Sequence, residues 1–271
     1  GGVCNAGDAL LASVPKGGRL LWYVRHGESR GNVAKLHALT LDEQEGGTRH
    51  FEEYTACSDF VDTPLTERGC GQAAEAARQV ATWRVKPTLI VCSPLTRALQ
   101  TAAVIFEREL GDGSARLVVR PELREFFSDN NENQGRPLGE LRACPLLRSL
   151  PRWPVLSAAL DEAATADWRE AWDDRQAQGS AWREHCGSAS RLAAFAAWLA
   201  GRSEERIAMV CHWGSINFAL NLEPWADGRR REDQQKFASV GGLAKRFEVP
   251  NCGWVAVAAA PPPGAPGPGG P

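Results

Sequence analysis

The residues best equipped for chemistry are Arg25 and His26, in the string RHGES at 25–29, and an isolated His212 in CHWG at 211–214. An imidazole can serve as a nucleophile or exchange a proton near neutral pH. A guanidinium beside it offers a planar fork of donors suited to phosphate, which lysine does not reproduce. Both stand where a hydrophobic run stops: Leu20 to Val24 has the length and the aromatic and β-branched bias of a buried strand. Ligands of open α/β sheets gather at the carboxyl ends of strands. A histidine next to an arginine there suits attack on, or grip of, an anionic group, with phosphate the first candidate.

Other segments share that placement. DTPLTERG at 62–69 opens a helix, and SPLTRALQTA at 93–102 follows the strand-like TLIVC at 88–92, which puts Arg97 on the first turns of the next helix. RIAMVC at 206–211 leads straight into His212, with Gly214 opening another helix. Free backbone N–H groups at such strand-to-helix turns favour an anion. Singly these signals are weak, since a lone strand-end histidine is more often structural and a lone arginine more often sits on the surface. Their strength lies in the combination.

The elements that must position them alternate. Short strands are expected at 117–119 and, as a closing edge, at 254–258. A helix after the N-cap Thr66 carries Ala73, Ala76, Ala77, Val80 and Trp83 on one face. A second, marked by Leu192, Phe195, Ala196 and Leu199, precedes the strand that ends at His212. Strand and helix in turn imply an α/β fold: a mostly parallel central sheet covered on both faces. Two polar stretches break the rhythm, 35–62 and much of 126–187, and are expected as lids or binding loops. Trp168, Trp172 and Trp182 in the second are equally readable as buried helix faces. Residues 1–18 form a Gly/Ala-rich lead-in, 19–258 the catalytic domain with 126–187 as its insertion, and 259–271 a disordered Pro/Gly tail.

Composition narrows the field. The chain has 271 residues, 43% of them hydrophobic, and a net charge of -2, so nothing resembles a nucleic-acid-binding face. No stretch approaches the roughly 20 apolar residues of a membrane span. The cysteines are scattered without a C-x-x-C pair, which argues against a zinc site and for a reduced, cytoplasmic setting; the first residue is not Met, so organellar targeting stays open. Cys92 to Arg97 and Cys186 to Arg191 are each one residue short of a cysteine-phosphatase loop, and neither a P-loop string nor HExxH occurs. His37, His50 and His185 lie in polar contexts and read as surface residues, while Glu28 reads as a structural partner.

Taken together, RHGES, SPLTRALQTA, PELREFF at 121–127 and CHWG closely resemble the histidine phosphatase superfamily, the phosphoglycerate mutase-like family, over roughly residues 19 to 258. The resemblance implies a three-layer α/β/α sandwich and a reaction through a phosphohistidine. It makes His26 the nucleophile. Arg25, Arg97 and His212 surround the phosphoryl group, Asn32 adds a hydrogen bond, and Gly214 joins the substrate contacts. Glu125 matches the general acid best, with Glu122, Asp129 and Glu132 as rivals. PELRE followed by NQGRP, and the later RIAMVCHWG and VPNCGWVAV, are similar to a plant, algal and fungal branch.

On this resemblance the expected activity is hydrolysis of a phosphorylated small molecule, without metal or cofactor and without nucleic acid or membrane as partner. The alternatives are a phosphoglycerate mutase-type phosphotransferase and a silent phosphate-binding scaffold. EFFSDNN departs from the segment that glycolytic mutases carry at the acid position, which counts against the mutase.

Overall fold

The computed structural model describes residues 14–125, 131–165, 189–220 and 249–260. Strands β1 (Arg19–Arg25), β2 (Leu89–Cys92), β3 (Arg116–Val119), β4 (Arg206–Cys211) and β5 (Trp254–Ala259) form one sheet in the order β3-β2-β4-β1-β5. All neighbours run parallel except β5, which lies antiparallel on β1 as the edge strand. The expected fold is observed.

Alternation along the strands divides the core in two, because successive side chains leave a strand on opposite faces. Leu20, Trp22, Val24, Ile90, Cys92, Ala208 and Val210 face one cluster, and Leu21, Leu89, Val91, Ile207, Met209 and Cys211 face the other. Helix α3 (Glu67–Ala81) buries Ala73, Ala76 and Val80 on the first side, joined by α4 (Thr96–Ile105). On the second side lie α7 (Ala189–Ala200) through Phe195 and α8 (Trp213–Leu220) through Ile216. Helices on both faces of a sheet make the three layers. Within α7 the expected apolar face is narrower than drawn: Phe195 is buried but Ala196 is exposed.

Thr66 caps α3 as expected, its hydroxyl accepting the Gly69 N–H at 3.0 Å. Past the helix end, Trp83 stacks on Trp22 with ring centroids 5.3 Å apart.

Two expectations change. The stretch 35–62 is not irregular: α1 (Arg30–Glu45) and α2 (Arg49–Ala56) occupy most of it. These helices bury few residues, only Gly31, Ala38 and Asp42 in α1 and Tyr54 in α2, so no apolar period shows in the sequence. Instead α1 is fixed at its start by a capping box in which Ser29 and Asn32 exchange side-chain-to-backbone bonds. At the other end Asp42 accepts the N–H groups of His50 and Phe51 at 2.9 and 2.8 Å, tying α2 to it.

Part of the stretch expected as a lid also belongs to the body of the fold. Helices α5 (Leu138–Ala143) and α6 (Trp153–Thr165) bury Leu138, Leu141, Leu156 and Leu160 in the first core cluster, and Trp153 packs against it. Leucines at helical spacing seek the sheet, not the solvent side of a pocket. Trp168, Trp172 and Trp182 lie outside the described residues, as do His185, Asp129 and residues 261–271; Ala259, expected in the tail, instead ends β5, where it pairs with Arg19.

Candidate active site

Strand register assembles the site. In the parallel pair β1–β4, Arg25 lies opposite Cys211, so His26 and His212 leave adjacent strand ends at the same level. The His26 N–H donates to the Cys211 carbonyl at 3.0 Å, one further rung of the ladder. Neighbouring strands stand about 4.8 Å apart, and the two imidazole centroids are 5.0 Å apart, tilted by 59°. Strand β2 ends beside them, where Ser93 bonds His212 Nε2 through its hydroxyl at 2.8 Å. Both rings are buried.

Arg97 arrives from the first turn of α4. It is 1% exposed, and three of its donors are assigned: Nε to His26 Nε2 at 3.2 Å, one terminal nitrogen to the Glu132 carbonyl at 2.7 Å, the other to Asn133 Oδ1 at 2.8 Å. A guanidinium held at three points cannot rotate away from the imidazole. The turn that presents it is itself anchored by Asp62, a fully buried carboxylate that accepts the Thr96 N–H at 2.7 Å and the Thr96 hydroxyl at 2.6 Å. Burial raises the Asp62 pKa from its ordinary value, and these two bonds oppose the rise.

Hydrogen bonding fixes the protonation of His26. Its Nδ1 lies 2.6 Å from the Gly27 carbonyl, which can only accept, so Nδ1 carries the proton. Nε2 faces an N–H donor of Arg97 and therefore carries the lone pair. Burial first, then the charges of Arg97 and Arg25, push the His26 pKa well below its ordinary value, against the pull of the Gly27 carbonyl. The result is a neutral imidazole with its electron pair on Nε2, where it accepts the Arg97 N–H.

Arg25 donates to the Val249 carbonyl at 2.9 Å. Burial lowers its pKa, and among the charges that act on it are Glu125, which opposes the shift, and Arg97, which adds to it. The Glu125 carboxylate itself sits at the start of α8, accepting the N–H groups of Gly214 and Ser215 at 3.3 and 3.2 Å. The Gly214 amide, expected among the substrate contacts, is thus engaged by Glu125. Asn32 lies close by: its Oδ1 accepts the Ser29 N–H at 3.2 Å and the Asn251 side chain at 3.5 Å, and Asn251 also donates to the His26 carbonyl at 3.0 Å.

Of the rival carboxylates, Glu122 pairs with Arg120 in a half-buried position just past β3, and Glu132 is buried with Lys35 3.8 Å away. Glu28 bonds Thr66 and Arg68 and stays structural, as expected. His37 is exposed and His50 pairs with Glu45. Asp62, Ser93, Asn133 and the Gly27 carbonyl were not singled out from the sequence; their signal was membership of DTPLTERG, SPLTRALQTA, NQGRP and RHGES. Among the described residues no group of three or more His, Cys, Asp or Glu side chains is placed to hold a metal ion, and no helix is long and apolar enough to cross a membrane.

Among known proteins, several phosphatases are similar to parts of this chain. The profile of the histidine phosphatase superfamily (branch 1) matches residues 46–143, a stretch that contains Arg97 and Glu125. The fructose-2,6-bisphosphatase TIGAR of Xenopus laevis is 34% identical over 105 residues, 39% of this chain and 36% of that protein. The adenosylcobalamin/alpha-ribazole phosphatase of Salmonella typhi is 33% identical over 108 residues, 40% of each chain. The matches therefore span well under half the length of these curated relatives. Among solved structures, the alpha-ribazole phosphatase of Shigella flexneri aligns over 88% of this chain and 89% of its own at 21% identity, with a TM-score of 0.44.

Proposed function

We propose that this chain, which matches the profile of the histidine phosphatase superfamily over residues 46–143, is a phosphomonoester hydrolase working through a phosphohistidine on His26. One observation carries the reading: a buried, neutral imidazole whose Nδ1 proton is given to Gly27 and whose Nε2 lone pair lies against Arg97 and beside a second histidine.

The chemistry follows from charge. The non-bridging oxygens of a phosphate monoester stay negative throughout transfer, so catalysis rests on position and on fixed positive charge. As the Arg97 Nε–H turns from His26 Nε2 to a phosphoryl oxygen, Nε2 attacks phosphorus in line with the ester oxygen. Arg25, Arg97 and His212 hold the phosphoryl oxygens, and Asn32 adds a hydrogen bond. As the N–P bond forms and the P–O bond breaks, Glu125, which enters this step as the protonated acid, gives its proton to the departing alcohol and is left as a carboxylate. Glu125 then takes a proton from water as that water attacks the phosphohistidine, which releases inorganic phosphate and restores His26. The entering phosphate competes with Glu125 for the Gly214 N–H, and that exchange releases the carboxyl group toward the leaving oxygen. No metal takes part in any of these steps.

The substrate class is a phosphorylated small molecule, in keeping with the bisphosphatase and ribazole phosphatase among the relatives. One assay tests the reading. Wild type and His26→Ala are offered an aryl phosphate and 3-phosphoglycerate in the presence of a chelator. Hydrolysis of the aryl ester by wild type, lost in His26→Ala, is expected. Interconversion of phosphoglycerates that needs a bisphosphate primer would replace hydrolysis by mutase activity, and phosphate binding without turnover of either ester would leave a scaffold.

A further inference from the structure

The tautomer of His26 depends on the Gly27 carbonyl, and two side chains from different helices hold the glycine that carries it. Thr101, fully buried on α4, donates its hydroxyl to the Arg97 carbonyl at 2.7 Å, a bond to the residue four back in the same helix. The same oxygen accepts the Gly27 N–H at 3.1 Å. One hydroxyl thus links the backbone of the catalytic arginine to the backbone beside the catalytic histidine. On the other side, Gln72 of α3 accepts the Glu28 N–H through its Oε1 at 2.8 Å.

These are the two peptide planes that flank the Gly27 α-carbon. The plane before it contains the Gly27 N–H, which Thr101 holds. The plane after it contains the Gly27 carbonyl together with the Glu28 N–H, which Gln72 holds. In a trans peptide the two groups point in opposite directions, so fixing that N–H aims the carbonyl. Glycine is the residue least able to hold such an orientation by itself. Crowding demands glycine all the same, since a Cβ at Gly27 would lie 2.7 Å from the Gly69 carbonyl oxygen.

We propose that Thr101 and Gln72 are positioning residues that clamp Gly27 so that its carbonyl keeps the proton on His26 Nδ1 and leaves Nε2 as the attacking atom. The catalytic meaning of the clamp rests on the phosphohistidine reading; the tautomer itself does not. With the clamp open, the Gly27 carbonyl can turn away. The proton is then free to move to Nε2, where it would meet the Arg97 donor and silence the nucleophile.

The test reads the ring directly. Nitrogen-15 NMR of the histidines, with His26→Gln to assign the His26 signals, reports the tautomer in the whole protein without substrate. Wild type, Thr101→Ser and Gln72→Glu, which keep the hydroxyl or the acceptor, should show the Nδ1–H form. Thr101→Val and Gln72→Leu should shift toward Nε2–H or a mixture. With an aryl phosphate, the same two variants should lose roughly tenfold or more in kcat at a nearly unchanged KM, with the conservative variants restoring the rate.

Thr101→Val alters a fully buried site and is judged only if its spectrum is that of a folded protein. If it is not, Gln72→Leu, at a partly exposed position, decides alone. An unchanged Nδ1–H tautomer in the folded variants overturns the proposal. Absence of hydrolysis by the wild type would instead sink the phosphatase reading and leave the NMR result standing.

Discussion

Burial of the His26 ring should make this protein less stable as the pH falls. In the unfolded chain His26 titrates near its ordinary value of 6.5, whereas in the fold burial and the charges of Arg97 and Arg25 keep it neutral well below that. Between those two points the unfolded state binds one proton that the folded state refuses. Stability therefore rises with pH across the window and is lost as pH falls below 6.5. For one proton the slope approaches about 1.4 kcal/mol per pH unit, and the loss ends only where the folded ring itself takes up a proton.

Urea unfolding of wild type and His26→Gln over a series of pH values measures the term by difference. Glutamine is polar and does not titrate, so the acid-side slope of the variant should be shallower by up to that amount. Asp62 works in the opposite sense, because its folded pKa is raised and the folded state binds the extra proton, but it is common to both proteins and cancels. Parallel stability curves from neutral pH downward would refute the neutral, charge-flanked imidazole, and with it the argument for Nε2 as nucleophile.

Arg97→Lys keeps a positive charge but loses the fork that reaches His26, Glu132 and Asn133 at once; hydrolysis of an aryl phosphate should fall on the order of 10²- to 10³-fold in kcat, and thermal unfolding should show the fold intact. Glu125→Asp keeps a carboxyl group but is too short to bond both Gly214 and Ser215, so inorganic phosphate titrated calorimetrically should bind roughly fivefold more tightly than to wild type; weaker binding would mean that Glu125 does not compete for those amides. Asp62→Asn should cost about 1–3 kcal/mol in urea unfolding, since it weakens the bonds to Thr96 while asparagine tolerates the left-handed φ of 46° found there.

What could be read from the sequence divides along physical lines. Buried strands were legible because both of their faces are apolar, which leaves runs such as LIVC and RIAMVC with nothing to imitate them. Helices α1 and α2 were not, because they contribute only four buried residues between them and are fixed by polar caps and by Asp42. Residues 138–165 misled for the opposite reason: their surroundings are polar, but their leucines fill the core. In the site, His26, His212 and Arg97 stand out because imidazole and guanidinium are side chains suited to phosphate chemistry and each follows a strand-like run. Asp62, Gln72 and Thr101 act through backbone groups of residues 34, 44 and 74 positions away, and no spacing rule announces such a contact.

Register also links the stability of the sheet to the reactivity of the site. A slip of one residue between β1 and β4 would put every side chain of one strand on the wrong face and separate the two imidazoles. Polarity does little to prevent this, since both faces of these strands are apolar. Shape and the ends of the ladder must do so instead. At one end the Leu20 N–H meets the Glu205 carbonyl at 2.7 Å; at the other the last rung is the N–H of His26 itself. Just beyond, Gly27 and Gly69 let the catalytic loop and α3 touch backbone to backbone, where a Cβ on Gly69 would fall 2.1 Å from the Glu28 carbonyl oxygen. His26 is therefore part of the device that sets the pairing, and a displacement large enough to misplace its ring must first break a bond of the central sheet.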